Sequence, residues 1–154
     1  MKKIIRFGLA LILLCILATS SFAAETGTFT ITPSFVNVLG QKARIYLTIV
    51  WAANSSHAFS DRTINAITYG IQGYYLVSSE TISGTPAPTD GYVVTIKTAN
   101  GSSLFSMTGS NSTTVGVLTN YTKVDPVSGN LTFSVSGNSI NSSTATCILK
   151  FDSN

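Results

Sequence analysis

The stretch Tyr92–Met107, YVVTIKTANGSSLFSM, decides the fold class. Tyr92–Thr98 is rich in β-branched and aromatic residues, and Ser103–Met107 supplies a second short strand. Between them stands Asn100-Gly101, the strongest short-range hairpin signal a sequence offers, with both residues expected at positive φ. Two antiparallel strands joined by a tight turn are therefore predicted here. The same grammar recurs in both directions, and no stretch after Glu25 carries a helical period.

Upstream, Ser83–Gly91 (SGTPAPTDG) holds two prolines and two glycines and reads as a loop. Before it come a strand at Tyr74–Ser79, introduced by Gly70 and Gly73, and a weaker one near Ile64–Thr68. A polar loop, Ala53–Arg62, separates these from Arg44–Trp51 (RIYLTIVW), the strongest strand of the chain. There Ile45, Leu47, Ile49 and Trp51 share one face, while Tyr46 and Val50 partly cover the other. Thr28–Thr32 alternates cleanly and is expected to stop at Pro33, with Phe35–Val38 following.

Downstream, the polar run Thr108–Thr114 precedes a strand within Val115–Val124 and turns at Asp125-Pro126 and Ser128-Gly129. Leu131–Val135 turns Leu131, Phe133 and Val135 one way. After a turn at Gly137–Ser143, Thr144–Phe151 lines up Ala145, Cys147, Leu149 and Phe151. Eight or nine strands, each with one apolar face, are best buried as two packed sheets. The expected fold class is all-β: a single antiparallel β-sandwich, Ig-like or jelly-roll-like, over residues 25–154.

Residues 1–24 read as a cleaved signal peptide. Lys2, Lys3 and Arg6 precede the apolar run Leu9–Leu17, and Ser21-Phe22-Ala23-Ala24 offers small residues for cleavage after Ala23 or Ala24. The run falls short of the ~20 residues a membrane span needs, and no later segment approaches that length. The mature chain is expected to be exported, in the periplasm, at the cell surface or outside, with no transmembrane segment. Cys15 would leave with the leader. The large residues Ile12-Leu13-Leu14 before it do not make a lipidation signal.

Removing the leader changes the charge. Three of the nine basic residues go with it, and the six that remain balance the six acids, for a net charge of zero. With no Lys/Arg cluster left, nucleic-acid binding is disfavoured. Ser and Thr make up 39 of the remaining residues and charged residues only 12. Recurring Val, Ile, Leu, Phe and Tyr distinguish the chain from a disordered one.

Catalytic and metal chemistry find little footing. His57 is the single histidine and reads as an exposed loop residue; a Ser-His-Asp site would need Asp61 or Asp90 beside it. No G-x-S-x-G, zinc-type spacing or calcium loop occurs. Cys147 reads as a core residue of the last strand. No catalytic residue, cofactor or metal is assigned, and the chain is not expected to be an enzyme. Six N-x-S/T sequons stand at Asn54, Asn100, Asn111, Asn120, Asn130 and Asn141. Tyr74, Tyr75 and Tyr92 are the candidate ligand or partner contacts, since amphipathic tyrosine suits sugar and protein surfaces.

Two segments carry a resemblance: Gly84–Ile96 (GTPAPTDGYVVTI), followed by Asn100-Gly101, and Gly129–Asn138 (GNLTFSVSGN). They are similar to small β-rich proteins encoded among the structural genes of tailed phages and prophages. The similarity runs over about Arg44–Phe151, and the signal peptide departs from that pattern. The resemblance implies a structural role and brings no catalytic residues. The function expected is that of an exported, non-enzymatic structural, assembly or adhesive surface module. Its partner would be a second copy, a surface protein or a glycan. The edge segment Thr28, Phe29, Thr30, Ile31 and Thr32 is the candidate assembly strand. A carbohydrate-binding module using surface tyrosines is the alternative, and a small secreted hydrolase a more distant one.

Overall fold

The computed structural model describes residues 27–37, 43–111, 116–118 and 126–154, so the expected signal peptide lies outside the described residues. Nine strands are described: β1 (Thr28–Val36), β2 (Arg44–Ala52), β3 (Arg62–Ile64), β4 (Tyr75–Ser83), β5 (Val93–Lys97), β6 (Ser103–Thr108), β7 (Gly116–Leu118), β8 (Leu131–Ser136) and β9 (Thr144–Asp152). They form two antiparallel sheets, ordered β1-β2-β9-β4-β7 and β3-β8-β5-β6.

The pairing is nested. β5 pairs β6, β4 pairs β7, β3 pairs β8 and β2 pairs β9, as in one long hairpin folded at the β5–β6 turn and then rolled up. That is the jelly-roll order, which decides between the two sandwich types the sequence allows. β1 has no counterpart in the nesting. It is added outside β2 at the edge of the five-stranded sheet.

Three local expectations are corrected. First, Pro33 does not end the first strand: β1 runs from Thr28 to Val36 with unbroken register against β2. An edge strand tolerates proline, because the missing N–H is needed only on a paired side. Second, the β5–β6 turn is not a two-residue turn with both residues at positive φ. Only Gly101 is left-handed (φ 84°), the Gly101 N–H donates to Thr98 O (2.9 Å), and the ladder shifts register at Ile96/Lys97. Asn100 works through its amide oxygen, which accepts from the Thr98 hydroxyl and the Ser102 N–H. Third, β4 continues past Ser79 to Ser83, and β3 occupies Arg62–Ile64 rather than Ile64–Thr68. A bulge between Leu76 and Ser78 turns both Leu76 and Ser79 inward, which hides the alternation.

The core lies between the sheets. Ile45, Leu47, Ile49 and Trp51 of β2 and Ala145, Cys147, Leu149 and Phe151 of β9 are buried, as are Val94, Ile96, Leu131 and Phe133 of the facing sheet. Aromatic rings concentrate at one end. Phe133 sits 5.4 Å from Phe29 and 5.9 Å from Phe59, and Trp51 meets Phe59 at 5.5 Å and Tyr92 at 5.7 Å. Offset and edge-on rings at these distances add to simple burial.

Phe133 stands among these rings and is fully buried. Phe133→Ala should cost about 3–5 kcal/mol in denaturant unfolding, since the cavity it leaves has rigid walls. Ile67→Ala, at a residue 77% exposed, should stay within about 0.5 kcal/mol of the parent.

Candidate functional site

The structure separates the three candidate tyrosines. Tyr92 is fully buried, so its assignment as a ligand or partner contact is corrected: its ring packs edge-on against Trp51 and its hydroxyl meets Thr81 Oγ1 at 2.6 Å. Burial pushes the phenol pKa up, while the bonds to Thr81 and Ser83 pull it back. A Cβ at Gly109 would collide with the ring, so glycine there makes room for it. Tyr74 packs half-buried against the core, and Tyr75, on the opposite face, opens β4 across from Asp152. They do not form one aromatic platform.

Tyr92 belongs to a seam of hydroxyls. β4 turns Ser79, Thr81 and Ser83 inward, and all three are buried. Each finds a partner on the other sheet's side: Ser79 Oγ on Met107 Sδ at 3.6 Å, Thr81 on Tyr92, and Ser83 Oγ on the Ser110 carbonyl. Satisfied in this way, the hydroxyls tie the sheets together without charge.

At the same end, loops 53–61, 84–92 and 137–143 are clasped by amides. Asn138 Nδ2 donates to His57 O and Ile140 O (3.1 Å each), and its Oδ1 accepts from Thr89 N (3.2 Å). Asn54 Oδ1 accepts from Ser56 N and Ala58 N (2.9 Å each), and its carbonyl accepts from His57 N and Ser142 N. His57 and Ser142 are the two non-glycine residues with positive φ among those described (57° and 52°). Both donate to that one carbonyl.

Three of the six sequon asparagines thus have a structural use. Asn54, Asn100 and Asn130 spend their amide oxygens on backbone N–H groups, Asn130 on Ala66 at 3.1 Å. Asn111 and Asn141 are exposed, and Asn120 lies outside the described residues.

The residues considered for catalysis are dispersed. Asp61 sits 3.6 Å from Lys97, and Asp90 accepts from Asn111 N at 3.2 Å. His57 is exposed, whereas Cys147 is wholly buried on β9, where desolvation and then the Glu80 charge push its thiol up to about 12. A thiol held neutral by burial is no nucleophile at ordinary pH. Among the described residues no group of three His, Cys, Asp or Glu side chains gathers as for a metal.

Two surfaces remain. One is a cleft of about 390 Å³ at the opposite end, between the β5–β6 turn and the segment entering β8. Thr98, Asn100, Ser102 and Ser128 line it with hydroxyls and an amide, while Leu104 and Leu131 supply apolar wall. The other is the outward side of the five-stranded sheet with the edge of β1 that no other described strand pairs. Aligned across β1, β2 and β9, the outward rows are Thr28–Ala52–Thr144, Thr30–Val50–Thr146 and Thr32–Thr48–Ile148. All nine positions are uncharged and methyl-bearing. Charge begins beyond them, with Glu80 of β4 beside Ile148, with Lys150 beside Tyr46 and with Arg44, whose guanidinium grips Asp152 through Nε–Oδ1 (2.7 Å) and Nη2–Oδ2 (3.1 Å). The candidate assembly strand Thr28–Thr32 is the outer border of this block, and its outward threonines are exposed.

No protein-family model and no curated protein sequence matches the chain. Among solved structures it is similar to one described as "CBM4 structure and function", over 84% of this chain and 77% of that one, at 18% identity and a TM-score of 0.31. At that score no ligand or residue role transfers.

Tyr92→Phe should lower stability by about 1–3 kcal/mol, because it leaves the buried Thr81 hydroxyl without its partner. Surface association should not change. A Tyr92→Phe variant that loses association while melting like the parent would return the residue to the surface.

Proposed function

We propose that this chain is an exported, non-catalytic β-sandwich that serves as a structural or adhesive surface module and assembles through β1. One observation carries this. The eight-strand roll is complete in its pairing without β1, and the added strand is a nine-residue edge with no charged side chain, bordering a neutral threonine-rich face. Proteins that must stay apart blunt such edges with charges, prolines, bulges or short strands; β1 has only Pro33, which leaves Thr28–Thr32 uninterrupted. The basic, apolar and small-residue succession of the leader supports export, and the likeness to phage structural-region proteins favours assembly over turnover.

The exported protein should begin at Ala24 or Glu25 by intact mass and should associate in light scattering as concentration rises. Removing Ala24–Pro33 should abolish association while strand circular dichroism and a cooperative melt persist. A parent that stays monomeric and binds neither cells nor glycans would refute the proposal.

A carbohydrate-binding role is the second reading, favoured by the cleft rather than by the tyrosines. Its hydroxyl, amide and apolar lining suits a neutral polyhydroxylated ligand. Glycan-array hits that survive Tyr75→Ala but vanish when Ser128→Trp fills the cleft would establish it, and an array without hits would remove it.

A further inference from the structure

The edge of β1 away from β2, which no other described strand pairs, is self-complementary, and we infer that it pairs with the same edge of a second copy around a two-fold axis through Thr30. This rests on the assembly reading above and names its partner and register.

Register comes from Pro33. β1 stays in step with β2 through Pro33↔Leu47 and Ser34↔Tyr46, so the proline nitrogen faces the open side. Backbone groups alternate sides along a strand. Phe29 and Ile31 therefore also point their N–H and C=O outward, while Thr28, Thr30 and Thr32 spend theirs on β2. The open edge thus presents two complete donor–acceptor sets, those of Phe29 and Ile31, before Pro33 interrupts it.

An antiparallel copy centred on Thr30 uses all of them. Phe29 of one copy faces Ile31 of the other, and the reverse, with two hydrogen bonds in each pair. The sequence Thr-Phe-Thr-Ile-Thr then matches itself: Thr28 faces the partner's Thr32, Thr30 the partner's Thr30, and Phe29 the partner's Ile31. Threonine pairs across strands are favourable, and no charge opposes its like. The proline, which has no N–H to give, falls opposite the partner's Gly27, a residue with no side chain and a left-handed φ of 66°. The two five-stranded sheets become one of ten strands. The interface is isologous, so it closes at a dimer.

The other described edges offer no such match. β3 and β7 are three residues long, and β6 lies beside β7. A second copy is thus the partner that the edge itself specifies. Pairing over five residues predicts a weak dimer, formed as concentration rises.

The test uses the exported protein in sedimentation and in cross-linking. The parent should move from monomer to dimer with concentration. Thr30→Lys places two ammonium groups on the axis and should weaken dimerisation at least tenfold without shifting the melt. Thr48→Lys, outward on β2 but away from the edge, should leave it intact. Across a non-hydrogen-bonded pair the two Thr30 Cα atoms would stand about 4.5 Å apart, within disulfide reach. Thr30→Cys should therefore oxidise to a covalent dimer and Thr48→Cys should not, the buried Cys147 taking no part. A parent that is monomeric at millimolar concentration, or a dimer unaffected by Thr30→Lys, would overturn the inference. So would an exchanged dimer, recognised when peptide mapping of the Thr30→Cys, Val50→Cys double variant finds position 30 bridged to position 50 of the other chain rather than of its own, although that would leave assembly through β1 standing. A monomer that still binds cells or glycans would sink this inference and spare the surface-module reading.

Discussion

The ladder between β2 and β9 is the constraint on which the rest of the molecule depends. It joins the first and last strands of the roll through nine consecutive pairs, from Arg44↔Asp152 to Ala52↔Thr144. Every other strand pair of the roll is nested inside it. On its inner side it brings eight buried side chains into one block, against which the facing sheet packs. The paired residues are separated by up to 108 positions, so the ladder closes only after the entropy of a long loop has been overcome. Such non-local pairing makes the fold slow to form. The Asn100-Gly101 turn, at the centre of the nest, is the natural place for pairing to begin, because its contacts are the most local.

A chain with so few charges must hold its surface loops and its sheet-to-sheet contacts by other means, and the hydroxyls and amides supply them. The inward hydroxyls of β4 meet Met107, Tyr92 and Ser110 across the interior, and Asn54, Asn65, Asn100, Asn130 and Asn138 take the place of backbone partners in the turns. Each bond is worth about 0.5–1.5 kcal/mol net. Unlike exposed ion pairs, these bonds are indifferent to salt. The abundance of Ser, Thr and Asn is therefore architectural before it is functional. Composition alone does not show the difference.

Much of this was legible because period two marks one-sided strands plainly. The faces of Arg44–Trp51 and Thr144–Phe151, and the burial of Cys147, follow directly from alternation. What was hidden has particular causes. β4 carries a bulge and lines its inner face with Ser79, Thr81 and Ser83, so both its period and its hydrophobicity look wrong for a core strand. Pro33 reads as a stop in any context except an edge, and whether a strand lies at an edge is a property of the whole sheet. Tyr92, just before β5, and Tyr75, the first residue of β4, are the same residue type in stretches of the same pattern. Only the sheet's orientation puts one at the centre of the core and the other outside. The nested order could not be read either, because Ig-like and jelly-roll sandwiches use strands of the same pattern and differ only in which of them meet.

The position of β1 follows from that order. A roll of nested pairs has a partner for every strand from β2 to β9. Of its outer strands, β3 and β7 are short, β6 has six residues, and the nine-residue β2 is the one that β1 covers. β1 lengthens the five-stranded sheet by a strand the topology does not need. Part of its role is internal, since Phe29 and Ile31 pack against the core and Arg62 Nη2 binds the Gly27 carbonyl at 2.9 Å. That accounts for the inward side and the first turn of the strand. It does not account for the outward Thr28, Thr30 and Thr32, or for the lack of any lysine or glutamate along nine exposed-edge residues. An edge kept only for packing gains solubility from a charge at no cost to its buried face. The proline is the single interruption, and it falls where it limits pairing to a short segment rather than preventing it. The same edge is thus uninterrupted over Thr28–Thr32 until the proline breaks it, which suits the weak association between folded copies proposed above.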